Sequence, residues 1–323
     1  MQETATVDLG RALDDHRPAL NAYCYRMLAS PFDAEDAVQE TLLRAWRAYA
    51  SFDGRSSLGT WLHRIATNVC IDMLRTRTQR VRPMDLGPAR EPVESNLRTL
   101  PEVTWIEPIP DSLIAPEPGP AELAESRESV KLAFVAALQH LPPKQRAALI
   151  LCEVMHWKAS EAAELLETTT PSVNSALQRA RETLKLSETA ATRTPALDDE
   201  RRELLAKYVD AFQRYDLSAL TAVIRTDARQ SMPPFDLWLS GFDDMMRWWF
   251  GPGIGCRGSR LVPAGSANGS PAYGQYKPSP NGGYDPWSLQ VIELASDGVA
   301  EITFFLDTQR IFPLFGLPLH LDS

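Results

Sequence analysis

The sequence predicts a multi-domain chain of two all-α modules, the second built on a helix-turn-helix, followed by an α+β cone. Three observations predict this. Apolar residues recur at intervals of three and four through most of the first 187 positions, the repeat of amphipathic helices. A stretch dense in proline and acid then interrupts that rhythm between the two modules. Beyond Gly258 the pattern changes to short strand-like runs separated by Asn281-Gly282-Gly283 and Asp297-Gly298, both turn signals. A chain of 323 residues has room for two or three domains, each with its own core.

Composition excludes several classes. No apolar run approaches a bilayer span, and Met1 to Gly10 lacks the basic start and apolar centre of a signal peptide, so no membrane partner and a cytoplasmic location are expected. Cys24, Cys70, Cys152 and Cys256 lie far apart without a CxxC pair. Such spacing fits reduced thiols better than a disulfide framework, and neither a metal nor a cofactor is expected.

The first helix is predicted over Leu9 to Ser30, with Leu13, Leu20, Tyr23, Cys24, Met27 and Leu28 inward. Pro31 and Phe32 turn the chain into a second helix that carries acid in its first turn and Ala37, Val38, Thr41, Leu42, Ala45 and Trp46 as its buried stripe. Gly, Asp and Ser between Ala50 and Leu58 make a loop. A third helix, Trp61 to Arg77, buries Leu62, Ile65, Ala66, Val69, Met73 and Leu74. Its other face shows Asn68, Asp72 and Arg75, and Arg75, Arg77 and Arg80 put positive charge near the C-terminal end, where the helix dipole favours cations.

The strings AEDAVQETLLRAW, RAYASFDGRSSLG and TWLHRIATNVCIDMLR stand in one register from Asp15 to Arg77. This stretch resembles region 2 of the sigma-70 transcription initiation factors, in their extracytoplasmic-function group. The resemblance implies two partners, core RNA polymerase and promoter DNA. It implies that Asp36, Gln39, Glu40 and Arg44 dock on a coiled coil of the polymerase large subunit. Ser51, Phe52, Asp53, Gly54 and Arg55 would capture a base flipped from the -10 element, which requires a few kcal/mol of unstacking. Trp61, Asn68, Asp72 and Arg75 would complete the -10 surface.

A net charge of -9 is unusual for a chain that meets DNA, because neutralising phosphates supplies much of such affinity. By segment the balance is zero over residues 1–80, -4 over 81–121, -1 over 122–188 and -4 over 189–323. The acid therefore lies mostly outside the two helical modules. Neither module is basic overall, so weak DNA binding by the free chain and dependence on a larger partner are expected.

Residues 9–80 form the first expected domain, and 81–121 an acidic, proline-rich linker. By resemblance, that linker threads the polymerase near its active-site channel and RNA exit path, where negative charge can mimic nucleic acid. The run Trp105-Ile106-Glu107-Pro108-Ile109-Pro110-Asp111 is too apolar for a free linker, and Trp105 is expected to dock on a folded domain.

Residues 122–187 form the second expected module. Leu123, Val130, Phe134, Ala137 and Leu138 mark a helix over Pro120 to Leu141, and Pro142-Pro143 opens another through Val154. Ala159 to Leu166, a short turn and Pro171 to Leu184 then read as a helix-turn-helix. Thr169 or Thr170 can cap the second of these helices, and Pro171 is tolerated in its first turn. Val173, Ala176, Leu177, Ala180 and Leu184 face inward, which leaves Ser172, Asn174, Ser175, Gln178, Arg179 and Arg181 for a major groove. Asn174 and Gln178 suit adenine edges, and Arg179 and Arg181 suit phosphates. The segment resembles sigma region 4, the reader of the -35 element. It departs from that pattern where Glu167 replaces the turn glycine and Ala176 a common basic residue.

After a second linker, 188–198, residues 199–323 continue the chain. Helices are expected at Glu200 to Tyr215, Leu217 to Ile224 and Asp243 to Phe250. Strands are expected at Ser259 to Ala264, Ala272 to Lys277, Trp287 to Leu294 and Val299 to Leu306, in a curved antiparallel sheet. This order resembles the SnoaL-like, NTF2-type domains fused to some factors of this group. Cones of that type often hold a pocket for a small ligand. Asp236, Asp307 and His320 are the acid-base candidates, and Trp238, Trp248, Tyr273, Trp287 and Phe304 the candidate walls. No tight catalytic spacing links them, so no catalytic residue is assigned.

The expected function is a promoter-specificity factor whose C-terminal domain contacts region 2, region 4 or both and modulates activity. The apolar tail Phe312 to Leu319 is the expected docking patch. The alternative is a ligand-sensing or enzymatic cone tethered to a helical DNA-binding half.

Overall fold

The structure is a computed structural model, and it describes residues 10–114, 129–187 and 198–322. The chain divides into two compact units. One combines residues up to Arg80 with those that follow from Asp111 through the second helical module; the other combines Val81–Pro110 with the C-terminal part. Among the described residues no helix is long and apolar enough to cross a membrane.

The first unit is helical. After a short helical turn at 10–14, α1 (Arg17–Leu28) ends at Ala29 in the left-handed conformation, and α2 (Pro31–Ala48) starts immediately behind it. Ser30 caps α2 by accepting from the Asp33 backbone N–H at 3.3 Å, and Pro31 stands in the first turn, where its missing N–H is harmless. α3 (Leu58–Arg75) begins three residues earlier than the apolar pattern predicts, because Ser57 accepts from the Thr60 N–H at 3.1 Å and sets the start. The three helices meet on Leu20, Met27, Val38 and Leu62, all fully buried and each stabilising by about 1.5–3 kcal/mol. Across this core Thr67 Oγ1 donates to the His63 carbonyl, so the Tyr23 hydroxyl is the donor to Thr67, both at 2.7 Å.

Two readings of this region change. Trp46, expected in the buried stripe, is 43% exposed. Arg77 and Arg80 lie beyond the end of α3, and both pair with Asp33 of α2, Arg80 at 2.8 Å with its side chain buried. They tie the end of the module back to its second helix rather than extend a basic surface.

The second helical module packs into the same unit. Its described part comprises α4 (Leu132–Gln139), α5 (Pro143–Leu149) with a wider turn at Ile150–Val154, α6 (Ala159–Leu165) and α7 (Thr170–Ser187). The earlier half of the helix expected from Pro120 lies outside the described residues. Glu161 Oε2 accepts from the Lys158 N–H at 2.8 Å and opens α6. The turn into α7 passes through Glu167 at φ +51°, the left-handed geometry that glycine adopts without strain.

Two buried arginines join the modules. Arg26 of α1 donates from Nη2 to Ser129 Oγ at 2.7 Å and from Nε to the Ser129 carbonyl at 3.2 Å. Arg146 of α5 donates to the Met27 carbonyl, to Gln139 Oε1 at 2.6 Å, and to the carbonyls of Gln139 and Leu141 at 2.9 and 3.2 Å. Burial pulls both guanidinium groups down to about 10, so each stays charged at neutral pH inside the joint. Nearer the surface, Arg64 pairs with Glu164 at 3.1 Å.

The second unit is an α+β cone. α8 (Asp199–Arg214) is capped by Asp198, which accepts from the Arg201 N–H at 2.9 Å, and α9 (Leu217–Val223) follows. Strands β1 (Ile224–Ser231) and β2 (Trp238–Ser240) precede α10 (Phe242–Trp249). β3 (Arg260–Ala267), β4 (Ser270–Pro278), β5 (Tyr284–Leu294) and β6 (Val299–Phe305) complete the sheet, and α11 (Thr308–Leu314) lies against its outer face. The strand order is β2-β1-β6-β5-β4-β3. The sheet is mixed, not purely antiparallel, because β1 runs parallel to β6. Its interior holds a hydrogen-bonded chain: Tyr208 donates to Gln290 at 2.9 Å, Gln290 to Gln275 at 3.0 Å, and Gln275 to Ser259 at 3.0 Å. Burial in that interior raises the Tyr208 hydroxyl well above the usual tyrosine range.

Val81–Pro110, between the two helical modules in sequence, groups with this unit. Thr99 bridges Phe235, Pro110 bridges Ala267, and Asn268 Oδ1 accepts from the Ile109 N–H at 3.0 Å. Arg90 and Arg98 both pair with Asp236, at 2.5 and 3.4 Å. Arg310 of α11 pairs with Glu102 and Glu107. Trp105 is buried to 2% exposure. Two side chains of the apolar tail, Phe312 and Leu317, turn inward. Phe312 is fully buried against Tyr276 with ring centres 5.2 Å apart, and the Pro318 carbonyl accepts from the Tyr276 hydroxyl at 2.9 Å, so this part of the tail seats its own sheet, while Leu319 is 43% exposed.

Candidate nucleic-acid interface

The loop between α2 and α3 builds the most distinctive surface of the helical unit. Asp53 accepts from the Arg55 backbone N–H at 3.1 Å and from Arg55 Nε at 2.5 Å, and Gly54 between them takes φ +70°. These bonds, the backbone one first, hold the Asp53 carboxyl below the ordinary aspartate range. The tight turn lets Phe52 fold back on Trp61 with ring centres 5.1 Å apart, and Tyr49 joins at 6.1 Å from Phe52 and 6.5 Å from Trp61. Phe52 and Trp61 are half-buried; Ser51, Asp53, Gly54 and Arg55 are exposed. A three-ring platform beside a cation is suited to an unstacked base and its phosphate.

Asn68, Asp72 and Arg75 are all exposed on one side of α3. Asp72 pairs with Arg75 at 3.1 Å and lies 4.0 Å from Arg44 of α2, which links this polar face to the neighbouring helix. On α2, Asp36, Gln39 and Arg44 are exposed and Glu40 half-buried. Gln39 donates to Glu35 at 3.0 Å, and Arg44 to Glu40 at 2.6 Å. The same exposed side carries Leu43 and Trp46, 44% and 43% exposed, with Tyr49 next in line. Sequence reasoning missed this apolar ridge. Its signal was the three-residue spacing of Leu43, Trp46 and Tyr49, of which only Trp46 was read, as part of the buried stripe.

In α7, Val173, Leu177, Ala180 and Leu184 are buried, and Ser172, Asn174, Ser175, Gln178, Arg179 and Arg181 are all exposed. The predicted reading face is therefore assembled as one side of a single helix. Two of its members already have partners: Gln178 donates to Glu182 at 3.1 Å, and Arg181 pairs with Glu153 at 2.5 Å. DNA contact by Arg181 requires that pair to be exchanged.

The cone's acid-base candidates are engaged separately. Asp236 is tied to Arg90 and Arg98, Asp307 pairs with Arg310 at 3.4 Å, and His320 meets Asp285 at 3.1 Å. Burial raises the Asp307 carboxyl above the ordinary aspartate range. Trp248 and Phe304 are buried, Tyr273 is half-buried, Trp238 donates to the Gly87 carbonyl at 2.8 Å, and Trp287 lies exposed under Lys277 with Nζ 3.0 Å from its ring centre. Among the described residues no group of His, Cys, Asp and Glu has metal-site geometry.

Comparison with known proteins matches the two helical modules to two families: Sigma-70 region 2 over residues 12–80 and Sigma-70, region 4 over residues 131–184. The ECF RNA polymerase sigma factor SigG of Mycobacterium tuberculosis is 44% identical over 317 residues, covering 96% of this chain and 84% of that protein. SigE of Mycolicibacterium smegmatis is 32% identical over 171 residues, which cover 53% of this chain and 57% of that protein. The crystal structure of M. tuberculosis SigJ superposes with a TM-score of 0.60 at 20% identity, covering 97% of this chain and 99% of that one, a likeness of fold across both units. An identity of 44% across nearly the whole length, on a helical half that matches both sigma regions, places the chain: it belongs to the extracytoplasmic-function RNA polymerase sigma factors, and it is a promoter-specificity factor rather than an enzyme.

Proposed function

We propose that this sigma factor divides its work among three surfaces and that its cone governs their use. The α2 ridge, with Asp36, Gln39, Glu40, Arg44, Leu43 and Trp46, docks on core RNA polymerase. Exposed large apolar side chains among charges mark a partner surface better than charges alone. The platform of Phe52 and Trp61, with Ser51, Asp53, Gly54 and Arg55 around it and Asn68, Asp72 and Arg75 beside it, holds the melted -10 strand. The exposed face of α7 reads the -35 duplex through Asn174 and Gln178, with Arg179 and Arg181 on phosphates and Ser172 and Ser175 close to the groove.

The observation that carries this reading is the aromatic platform itself. Rings 5.1 Å apart, half-exposed and supported by a left-handed glycine turn, offer faces available for stacking. The cone contributes regulation: it is the unit that takes the inter-module segment into its own fold. Run-off transcription with purified core polymerase tests the whole. Initiation at promoters recovered by genomic selection is expected, with the start lost in Trp61→Ala and the -35 preference relaxed in Gln178→Ala. Absence of any transcript from such a selection would sink the reading.

A further inference from the structure

We propose that one rim of the cone binds single-stranded nucleic acid, a site additional to the promoter-reading faces of the helical unit. The cations of the cone carry the inference. Residues 189–323 have a net charge of -4, so carboxylates are in excess there. Among the described residues of this unit, every Arg and Lys outside the rim meets a carboxylate within 4.0 Å. Arg257, Arg260 and Lys277 meet none, although partners are plentiful. Cations left unpaired on an acidic body are available to an outside anion.

The fold draws the three together at one end of the sheet. Arg260 opens β3 opposite Tyr276 of β4, and Lys277 is the next residue of β4. A Cβ added at Gly255 would lie 4.0 Å from Lys277 Nζ, and one at Gly258 3.5 Å from Pro278, so the segment that carries Arg257 crosses the end of β4. Lys277 Nζ stands 3.0 Å from the ring centre of Trp287, and Arg260 Cζ 4.1 Å from that of Tyr284, both at the start of β5. Trp287 is 40% exposed. The rim's acids are Asp285, which meets His320 at 3.1 Å, and exposed Asp322, so affinity is expected to be modest and salt-sensitive. An unpaired strand offers both partners this rim requires, a phosphate for each cation and a base face for the exposed indole. A duplex hides its base faces, and an acidic peptide would leave the indole unused.

Fluorescence anisotropy on the full chain tests the rim, with labelled oligo(dT), oligo(rU) and a mixed-sequence duplex as probes. Every protein carries Phe52→Ala, so that the platform of the helical unit contributes little. Arg260→Gln with Lys277→Gln is expected to weaken single-strand binding about 5-fold or more and to lower the slope of log affinity against log salt by about 1.4, two phosphate contacts at about 0.7 each. Trp287→Ala should weaken binding about 5-fold at unchanged slope, because it removes a stacking face and no charge. The charge-keeping pair Arg260→Lys with Lys277→Arg should retain the slope, which separates lost charge from lost folding. Binding to oligo(dT) alone assigns the site to a DNA strand, to oligo(rU) alone to RNA, and equal binding to the backbone common to both. Equal affinity and slope in the Gln pair and its parent would overturn the proposal, as would tighter binding of the duplex than of either single strand.

Discussion

Arg146 of the helix-turn-helix module donates to the backbone carbonyl of Met27 in the first module, 119 positions earlier in the chain. One guanidinium thus satisfies four acceptors on both sides of a joint, and no neutral side chain of similar size carries enough donors to replace it.

Arg146→Met keeps the volume and removes the donors, leaving buried carbonyls unpaired. The helical unit is expected to lose about 3 kcal/mol, seen as a lower urea midpoint at unchanged slope. A loss under about 0.5 kcal/mol would show that water replaces the guanidinium and that the joint is looser than its bonds imply.

His63 sits in the same joint, 4% exposed, with Tyr23 at 5.5 Å, Trp157 at 5.7 Å, Nδ1 2.7 Å from the Gly59 carbonyl, and His16 as its titratable neighbour. Burial lowers its pKa below the ordinary histidine value. In that window the unfolded chain binds the proton and the folded chain does not. Stability therefore falls as pH drops below about 6.5, by at most about 1.4 kcal/mol per unit, until the folded imidazole also protonates. Urea titrations at pH 7.5 and 5.5 should show this component in wild type and its absence in His63→Phe. An identical acid response in both proteins would assign it elsewhere.

Glu167 holds the left-handed position in the turn of the helix-turn-helix. Glycine at that position relieves a backbone penalty of about 1–2 kcal/mol and gives part of it back as unfolded-chain entropy. Glu167→Gly should stabilise the helical unit by about 0.5–1 kcal/mol with the α7 face unaltered, read as a raised urea midpoint and unchanged -35 preference.

Removing a ring from the Phe52–Trp61 pair tests the platform without touching the core. Phe52→Ala should weaken binding of the holoenzyme to a premelted -10 fork by about 1–3 kcal/mol, or roughly 5- to 150-fold, and leave binding to a -35 duplex alone. Equal losses on both templates would indicate misfolding of the loop.

Local periodicity and capping residues carried most of the helical half. Ser30 and Ser57 mark starts that the apolar spacing alone places only approximately. Arg77 and Arg80 were misjudged because their partner, Asp33, lies more than 40 positions upstream, and no window of the sequence holds both ends of that pair. β1 was missed for another reason. The segment Ile224–Ser231 carries Arg225, Asp227 and Arg229, of which Arg225 pairs with Asp297 and Arg229 with Glu301, at 2.7 Å for the latter, so its strand character is visible only beside β6. Composition was less informative over Val81–Pro110: proline and acid usually signal a free chain, but Trp105 is 2% exposed and the Ile109 N–H donates to Asn268, 159 residues later.

That split origin of the cone has a consequence during synthesis. Val81–Pro110 leaves the ribosome about 200 residues before β6, a delay of about 10–40 s at typical elongation rates of about 5–20 residues per second. The nascent helical half is complete only for the last part of that interval, about 120 residues, while Val81–Pro110 still lacks its partner Arg310. The pace of translation therefore sets how long Val81–Pro110 waits in the nascent chain before the side chains that hold it exist.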